Sequence, residues 1–67
     1  MEAEVAKTLH DIRNPLNSIS VNAELGKLLV GGEKIDPARL VDIYALIIKE
    51  CQSCSQKIDR LQTLLDS

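Results

Sequence analysis

The sequence predicts an all-α fold, an antiparallel hairpin of two long helices that dimerises into a four-helix bundle. Two apolar stripes with alternating spacings of three and four residues predict the helices, because this heptad period aligns apolar side chains along one seam. The paired glycines of the chain lie between the stripes and predict the turn of the hairpin. The 67 residues have room for one small domain, whose marginal core favours association with a second chain.

Each predicted helix carries one stripe. The first helix is predicted over about residues 3–30, and its stripe consists of Val5, Leu9, Ile12, Leu16, Ile19, Ala23, Gly26 and Val30. The second helix is predicted over about residues 37–66, and its stripe consists of Leu40, Tyr44, Ile47, Cys51, Cys54, Ile58, Leu61 and Leu65. Further apolar residues beside both stripes near the turn require more than one neighbouring helix. A homodimer of hairpins meets this requirement, so residues 1–67 are assigned to one dimerising domain.

The turn is predicted over residues 31–36, where the chain reverses direction. Gly31 or Gly32 is expected to adopt the left-handed conformation that ends many helices. Asp36 is expected to cap the second helix, and Pro37 fits its first turn because the missing N–H of proline has no partner there. A turn this short makes the two helices antiparallel neighbours.

The antiparallel arrangement also predicts which residues lie opposite each other. The predicted pairs are Leu9 with Ile58, Leu16 with Cys51, Ala23 with Tyr44 and Gly26 with Leu40. Near the turn, small side chains of the first helix thus face bulky side chains of the second, which favours this register over its alternatives.

Composition excludes several classes of protein. Eight Lys and Arg residues against ten Asp and Glu residues give a net charge of -2, so the chain has no broad basic surface for nucleic acid. Its longest apolar run is far shorter than the ~20 residues of a membrane span, and no signal-peptide pattern is visible in these residues. Two cysteines without a secretory signal are typical of reduced thiols. We therefore expect this segment to be cytoplasmic and without direct membrane contact, whether or not the intact protein is membrane-anchored.

The single histidine stands in a seven-residue motif. The motif reads His10-Asp11-Ile12-Arg13-Asn14-Pro15-Leu16. It closely resembles the H-box of the dimerisation and histidine-phosphotransfer domain of bacterial sensor histidine kinases. That family's pattern is His, an acidic residue, an apolar residue, Arg or Lys, Thr or Asn, Pro and Leu, and all seven positions match. The resemblance covers about residues 5–30, and the family's fold, a helical hairpin that dimerises into a four-helix bundle, agrees with the predicted architecture.

The resemblance implies a role for three residues. His10 would be the phospho-acceptor, which takes the γ-phosphoryl group of ATP and passes it to an aspartate in the receiver domain of a response regulator. Asp11 would be the acid/base partner of the imidazole, and Asn14 would position a water molecule that removes phosphate from the regulator. The residues themselves fit these roles, because imidazole is largely unprotonated at neutral pH, a carboxylate accepts a proton, and an amide both donates and accepts hydrogen bonds. His10 follows the stripe residue Leu9, so its side chain is expected to face solvent.

The resemblance also implies partners that the chain does not contain. ATP and Mg²⁺ would be bound by a separate ATP-binding domain of the same kinase, and no cofactor or metal site is expected in these 67 residues. We expect the chain to be a fragment of a longer sensor kinase. Two alternatives are a stand-alone histidine phosphotransfer protein of a phosphorelay and a purely structural helical-hairpin dimer.

Two further features have competing interpretations. Asn14-Pro15 is a good helix start, which would leave His10 in a loop, but the apolar stripe continues through this point and favours one continuous helix bent near Pro15. Cys51 and Cys54 have the C-x-x-C spacing of zinc and redox sites. Zinc requires two more ligands, which are not nearby in the sequence, so both cysteines are expected to pack in the core.

Overall fold

The computed structural model describes residues 2–66 as two long α-helices side by side. Helix α1 spans Glu2–Val30 and helix α2 spans Pro37–Asp66, and residues 31–36 connect them. The described residues contain no strand, and the Cα atoms extend over 52 × 14 × 10 Å. The predicted all-α hairpin is confirmed.

The helices are antiparallel, as two contacts at different levels of the hairpin show. Near the open end, the Sγ atom of Cys54 lies 3.8 Å from the carbonyl oxygen of Ile12. Near the turn, a Cβ atom built on Gly26 would lie 3.7 Å from Cγ2 of Ile43. The side chain that meets Gly26 is thus that of Ile43, one helical turn further along α2 than the expected Leu40.

Only half of each predicted stripe is covered within the hairpin. Ile12, Gly26 and Cys54 are buried between the helices, whereas every second member of each stripe is exposed. The exposed members are Leu9, Leu16, Ala23 and Val30 of α1 and Tyr44, Cys51, Ile58 and Leu65 of α2. The physical reason is that each helix has one neighbour in the hairpin, while a full heptad stripe is wide enough to contact two.

The exposed stripe members lie on one side of the molecule. Within each helix they recur every seven residues, so they follow one line along the helix. Because the helices are antiparallel and their buried residues share the same heptad positions, the two lines lie on the same side of the hairpin. We call these eight residues the open apolar face. A groove of about 370 Å³ continues this face at the open end of the hairpin, where Val5, Ala6, Leu9 and Leu65 line it together with Glu2.

The first helix ends without a left-handed residue, so the expectation for the glycines was wrong. None of the described glycines has a positive φ. The Gly31 N–H donates to the carbonyl of Lys27 at 3.1 Å, and the Gly32 N–H donates to the carbonyl of Leu29 at 3.3 Å. The second bond spans three residues and tightens the last turn, so terminal carbonyls are satisfied with right-handed backbone.

The second helix begins as its sequence indicates. The backbone N–H of Ala38 donates to Oδ1 of Asp36 at 3.1 Å, and the N–H of Leu40 donates to the Asp36 carbonyl at 3.2 Å. Pro37 is the first helical residue. Asp36 therefore caps α2 with its side chain, and the proline occupies a position where no donor is required.

Gly26 supplies a test of the packing between the helices. A methyl group at this position would make an ordinary contact with Ile43 at 3.7 Å, while glycine inside a helix is destabilising relative to alanine. We expect Gly26→Ala to raise the free energy of unfolding by about 0.5–1 kcal/mol in chemical denaturation followed by circular dichroism. Ala45→Gly, at an exposed position of α2, is the matched control and should lower it by a similar amount. A loss of stability in Gly26→Ala would contradict the observed separation of the helices.

Candidate phospho-acceptor site

The histidine motif lies on an uninterrupted stretch of α1. Helix α1 runs from Glu2 to Val30 with Pro15 in its interior, so His10 is helical and the alternative start at Asn14-Pro15 is wrong. Pro15 is buried, so its ring lies at the interface between α1 and α2. Its nitrogen has no hydrogen, so the helix lacks the bond that would reach the carbonyl of Asp11. The bend expected at this point stays a prediction.

The three candidate side chains differ in exposure. His10 and Asn14 are exposed and lie four residues apart, so they share one face of α1 about one turn from each other. Asp11 is half-buried, because it lies about 100° around the helix from His10 on the side nearer α2. In the described part of the chain, the side chains of all three are without hydrogen bonds or ion pairs. The structure thus brings His10 and Asn14 together on an accessible surface, with Asp11 at its edge.

The opposite side of the same turns is firmly packed. Thr8 is only 4% exposed and Ile12 only 9%, and each lies two residues from His10, roughly on the far side of the helix. The Thr8 hydroxyl donates to the Glu4 carbonyl at 2.8 Å, so its burial leaves no polar atom without a partner. Packing on the buried side therefore holds this part of α1 in place, while the imidazole of His10 on the opposite side stays accessible.

Thr8 and Pro15 are buried residues that the apolar pattern of the sequence does not indicate. Both are buried, yet neither belongs to the predicted stripe. The signal that could have found them is their spacing of seven residues, which continues to the half-buried Asn22 and Leu29. This second line of positions adjoins the apolar stripe on the side facing α2. Because it contains polar residues, it does not show up in the pattern of apolar residues.

The two cysteines have different surroundings. Cys54 is 7% exposed and its thiol donates to the carbonyl of Ile12, whereas Cys51 belongs to the open apolar face and is exposed. The expectation that both cysteines pack in the core is therefore wrong for Cys51 within this hairpin, since it lies on the uncovered half of the stripe. Among residues 2–66, no group of three or more His, Cys, Asp or Glu residues is placed to hold a metal ion. In the same range, neither helix has a stretch apolar enough to cross a bilayer.

The fold and the exposed motif define a class of domain, a helical hairpin that presents a histidine on its first helix. The chain belongs to the His kinase A (phospho-acceptor) domain family, whose family model matches residues 1–66. The match includes α2 and so extends well beyond the stretch of residues 5–30 that carries the motif resemblance. Membership places the chain in the context of histidine kinases and two-component signalling, and it implies dimerisation. Neither the comparison with curated proteins nor the comparison with solved structures found a match.

The difference between the exposed and the buried side of the motif can be tested by the stability of variants. His10→Gln replaces an exposed side chain, so we expect it to change the free energy of unfolding by no more than about 0.5 kcal/mol. Ile12→Ala removes a buried side chain and should lower it by about 2–5 kcal/mol. Thermal and chemical denaturation of both variants at one chain concentration measures the difference. A large loss in His10→Gln would show that the imidazole is a packed residue.

Proposed function

We propose that this chain is the phospho-acceptor and dimerisation domain of a two-component sensor histidine kinase. In this proposal, His10 takes the γ-phosphoryl group of ATP from a separate ATP-binding domain and passes it to an aspartate of a response regulator. The observation that carries the proposal is an exposed histidine within the complete seven-residue motif, on a continuous helix, in a chain of the His kinase A family.

The first step is nucleophilic attack by the imidazole. One ring nitrogen of neutral His10 bonds to the γ-phosphorus, the bond to the bridging oxygen breaks, and ADP leaves with that electron pair. The other ring nitrogen becomes more acidic as positive charge develops, and Asp11 accepts its hydrogen bond or its proton. Mg²⁺, bound with ATP on the separate domain, would offset the negative charge of the phosphates. The exposure of His10 supports this step, because the donor must approach from outside the hairpin.

The second step moves the phosphoryl group to the regulator. A carboxylate oxygen of the receiver aspartate bonds to phosphorus, the nitrogen–phosphorus bond breaks, and the imidazole recovers its lone pair. For removal of phosphate from the regulator, Asn14 would hold a water molecule against the resulting acyl phosphate. Its place on the same exposed face as His10 supports this role, because one docked receiver domain would then meet both side chains.

Dimerisation is the other half of the proposal. We propose that a second copy of the hairpin covers the open apolar face, which would place the full heptad stripes in the interior of a four-helix bundle. Leu16 and Ile58 are each 51% exposed in the hairpin, and Leu65 is 64% exposed. The seven-residue spacing of the open apolar face supports a helical partner.

Direct phosphorylation tests the function. The chain is incubated with the ATP-binding domain of a sensor kinase and ATP labelled in the γ-phosphate, and a receiver domain is then added. We expect acid-labile label on the chain that is absent in His10→Gln and that moves to the receiver. A structural hairpin dimer would take no label. A stand-alone phosphotransfer protein would take label from a phosphorylated receiver but not from the ATP-binding domain.

The proposed division of labour between Asp11 and Asn14 gives separate expectations. In the intact kinase, Asp11→Asn should depress autophosphorylation, because an amide neither accepts a proton nor carries negative charge. Asn14→Ala should spare autophosphorylation and slow dephosphorylation of the regulator, because only the group that positions water is lost. Both rates are measured for both variants, with circular dichroism as the control for folding. Equal losses of the two activities in Asn14→Ala would refute this assignment.

The dimer interface can be tested on the 67-residue chain itself. Sedimentation equilibrium at micromolar concentration should give about 15 kDa, twice the chain mass of 7.4 kDa. Leu16→Asn should shift the molecules towards monomers, because the dimer would bury an unpaired amide. Val21→Asn is the matched control, since Val21 is 67% exposed and lies off the open apolar face. A folded monomer in the unsubstituted chain, or equal dissociation in both variants, would contradict the proposed interface.

A further inference from the structure

Cys54 links α2 to the backbone of the histidine motif. Its side chain is buried, and the thiol donates a hydrogen bond to the carbonyl oxygen of Ile12 across the helix interface, with 3.8 Å between sulfur and oxygen. The other side-chain hydrogen bonds described between residues 4 and 63 each join residues two to four positions apart. Those bonds stabilise a single helix or its cap, whereas the bond of Cys54 connects the two helices.

The bond of Cys54 reaches α1 at the turn that Pro15 weakens. Proline has no N–H, so the carbonyl of Asp11 loses its donor four residues ahead, and the pyrrolidine ring crowds that carbonyl. Ile12 is the next residue along the chain. Its carbonyl oxygen has two lone pairs, so it can accept the thiol in addition to a backbone N–H. The thiol therefore contacts α1 directly beside the carbonyl that Pro15 deprives of its usual donor.

We propose that Cys54 is a positioning residue for His10. The hydrogen bond from its thiol holds the proline-containing turn of α1 against α2 and thereby keeps the imidazole, two residues before Ile12, in the orientation that phosphoryl transfer requires. The role in transfer rests on the proposed function, whereas the tether itself stands on the contact between the helices. Thr8 and Ile12 pack the same turns, but their burial is apolar or satisfied within α1, so Cys54 supplies the directional component.

Three substitutions at this position separate hydrogen bonding from packing. Cys54→Ser keeps a donor on a slightly smaller side chain, Cys54→Val keeps the volume without a donor, and Cys54→Ala removes both. Amide hydrogen exchange is measured by NMR in the full 67-residue chain over residues 10–16, where every residue except Pro15 has an amide hydrogen. We expect exchange in this segment to be about two- to tenfold faster in the valine and alanine variants and close to the original rate in the serine variant.

A substitution at the other end of the interface is the matched control. Ile43→Val removes one methyl group from a buried residue next to Gly26. It should raise exchange near Gly26 and leave residues 10–16 unchanged. The tether is refuted if amide exchange in Cys54→Val stays at the original rate while exchange in Cys54→Ser is as fast as in Cys54→Ala. In that case the sulfur acts by packing. Should Cys54→Ala fail to fold, the opposite behaviour expected of serine and valine still decides the question.

Phosphorylation from two donors tests the positioning role. With the ATP-binding domain and ATP, His10 should be phosphorylated about two- to tenfold more slowly in Cys54→Val, and Cys54→Ser should restore the rate. With phosphoramidate, a small donor that requires only an accessible imidazole, all variants should react equally. Equal rates with both donors in every variant would overturn the positioning role. A failure of the unsubstituted chain to take phosphate from the ATP-binding domain would refute the proposed function instead, and hydrogen exchange would still decide the tether.

Discussion

The rest of the structure depends on a mismatch between the width of the apolar stripes and the number of neighbours that each helix has. Each stripe spans two adjacent sides of its helix, but the hairpin supplies one neighbour, so Ile12 is covered while Leu9 and Leu16 stay about half exposed. Full burial of one such side chain is worth about 1.5–3 kcal/mol, and the open apolar face contains several of them. Cys51 and Cys54 are free thiols, so they do not cross-link the two helices. Association of two hairpins would cover the exposed half of each stripe without a change in the hairpin itself.

The same mismatch decides where chemistry can take place. A helix of a four-helix bundle uses the two sides facing its neighbours for packing, which leaves the third side for function. On α1 that third side carries His10 and Asn14, and Asp11 lies at its boundary with the packed side. The motif therefore meets two requirements in one stretch of helix. Residues such as Ile12 hold the helix in place, and residues between them stay exposed for the external donor and acceptor that the proposed function requires.

The heptad period and the chemistry of the turn were sufficient to predict most of the fold. Asp36-Pro37 indicated where α2 begins, and continuity of the stripe through Leu16 indicated that α1 passes Pro15 without interruption. The sequence could not tell which half of each stripe is covered within the hairpin, because contacts inside and outside the chain obey the same seven-residue period. It also could not show the hydrogen bonds that end α1, since a glycine is compatible with both left-handed and right-handed backbone. For the site, the motif indicated which side chains to consider, whereas the half-burial of Asp11 and the thiol contact of Cys54 depend on the packing of α2.

Pro15 affects both the stability of α1 and the hydrogen bonding of the motif. A proline inside a helix costs about 3 kcal/mol or more, and here the weakened hydrogen bonding falls on the carbonyl of Asp11, next to the proposed acceptor. The ring itself is buried, so its packing against α2 offsets part of the cost while the gap in the hydrogen bonding remains. Regular helix continues on both sides, and Thr8 and Ile12 anchor the segment that precedes the proline. The turn that carries the motif thus lacks one hydrogen bond that the regular helix on either side of it has. The hydrogen bond from Cys54 to the carbonyl of Ile12 reaches α1 at this same turn, so α2 contacts α1 where Pro15 interrupts the hydrogen bonding within the helix.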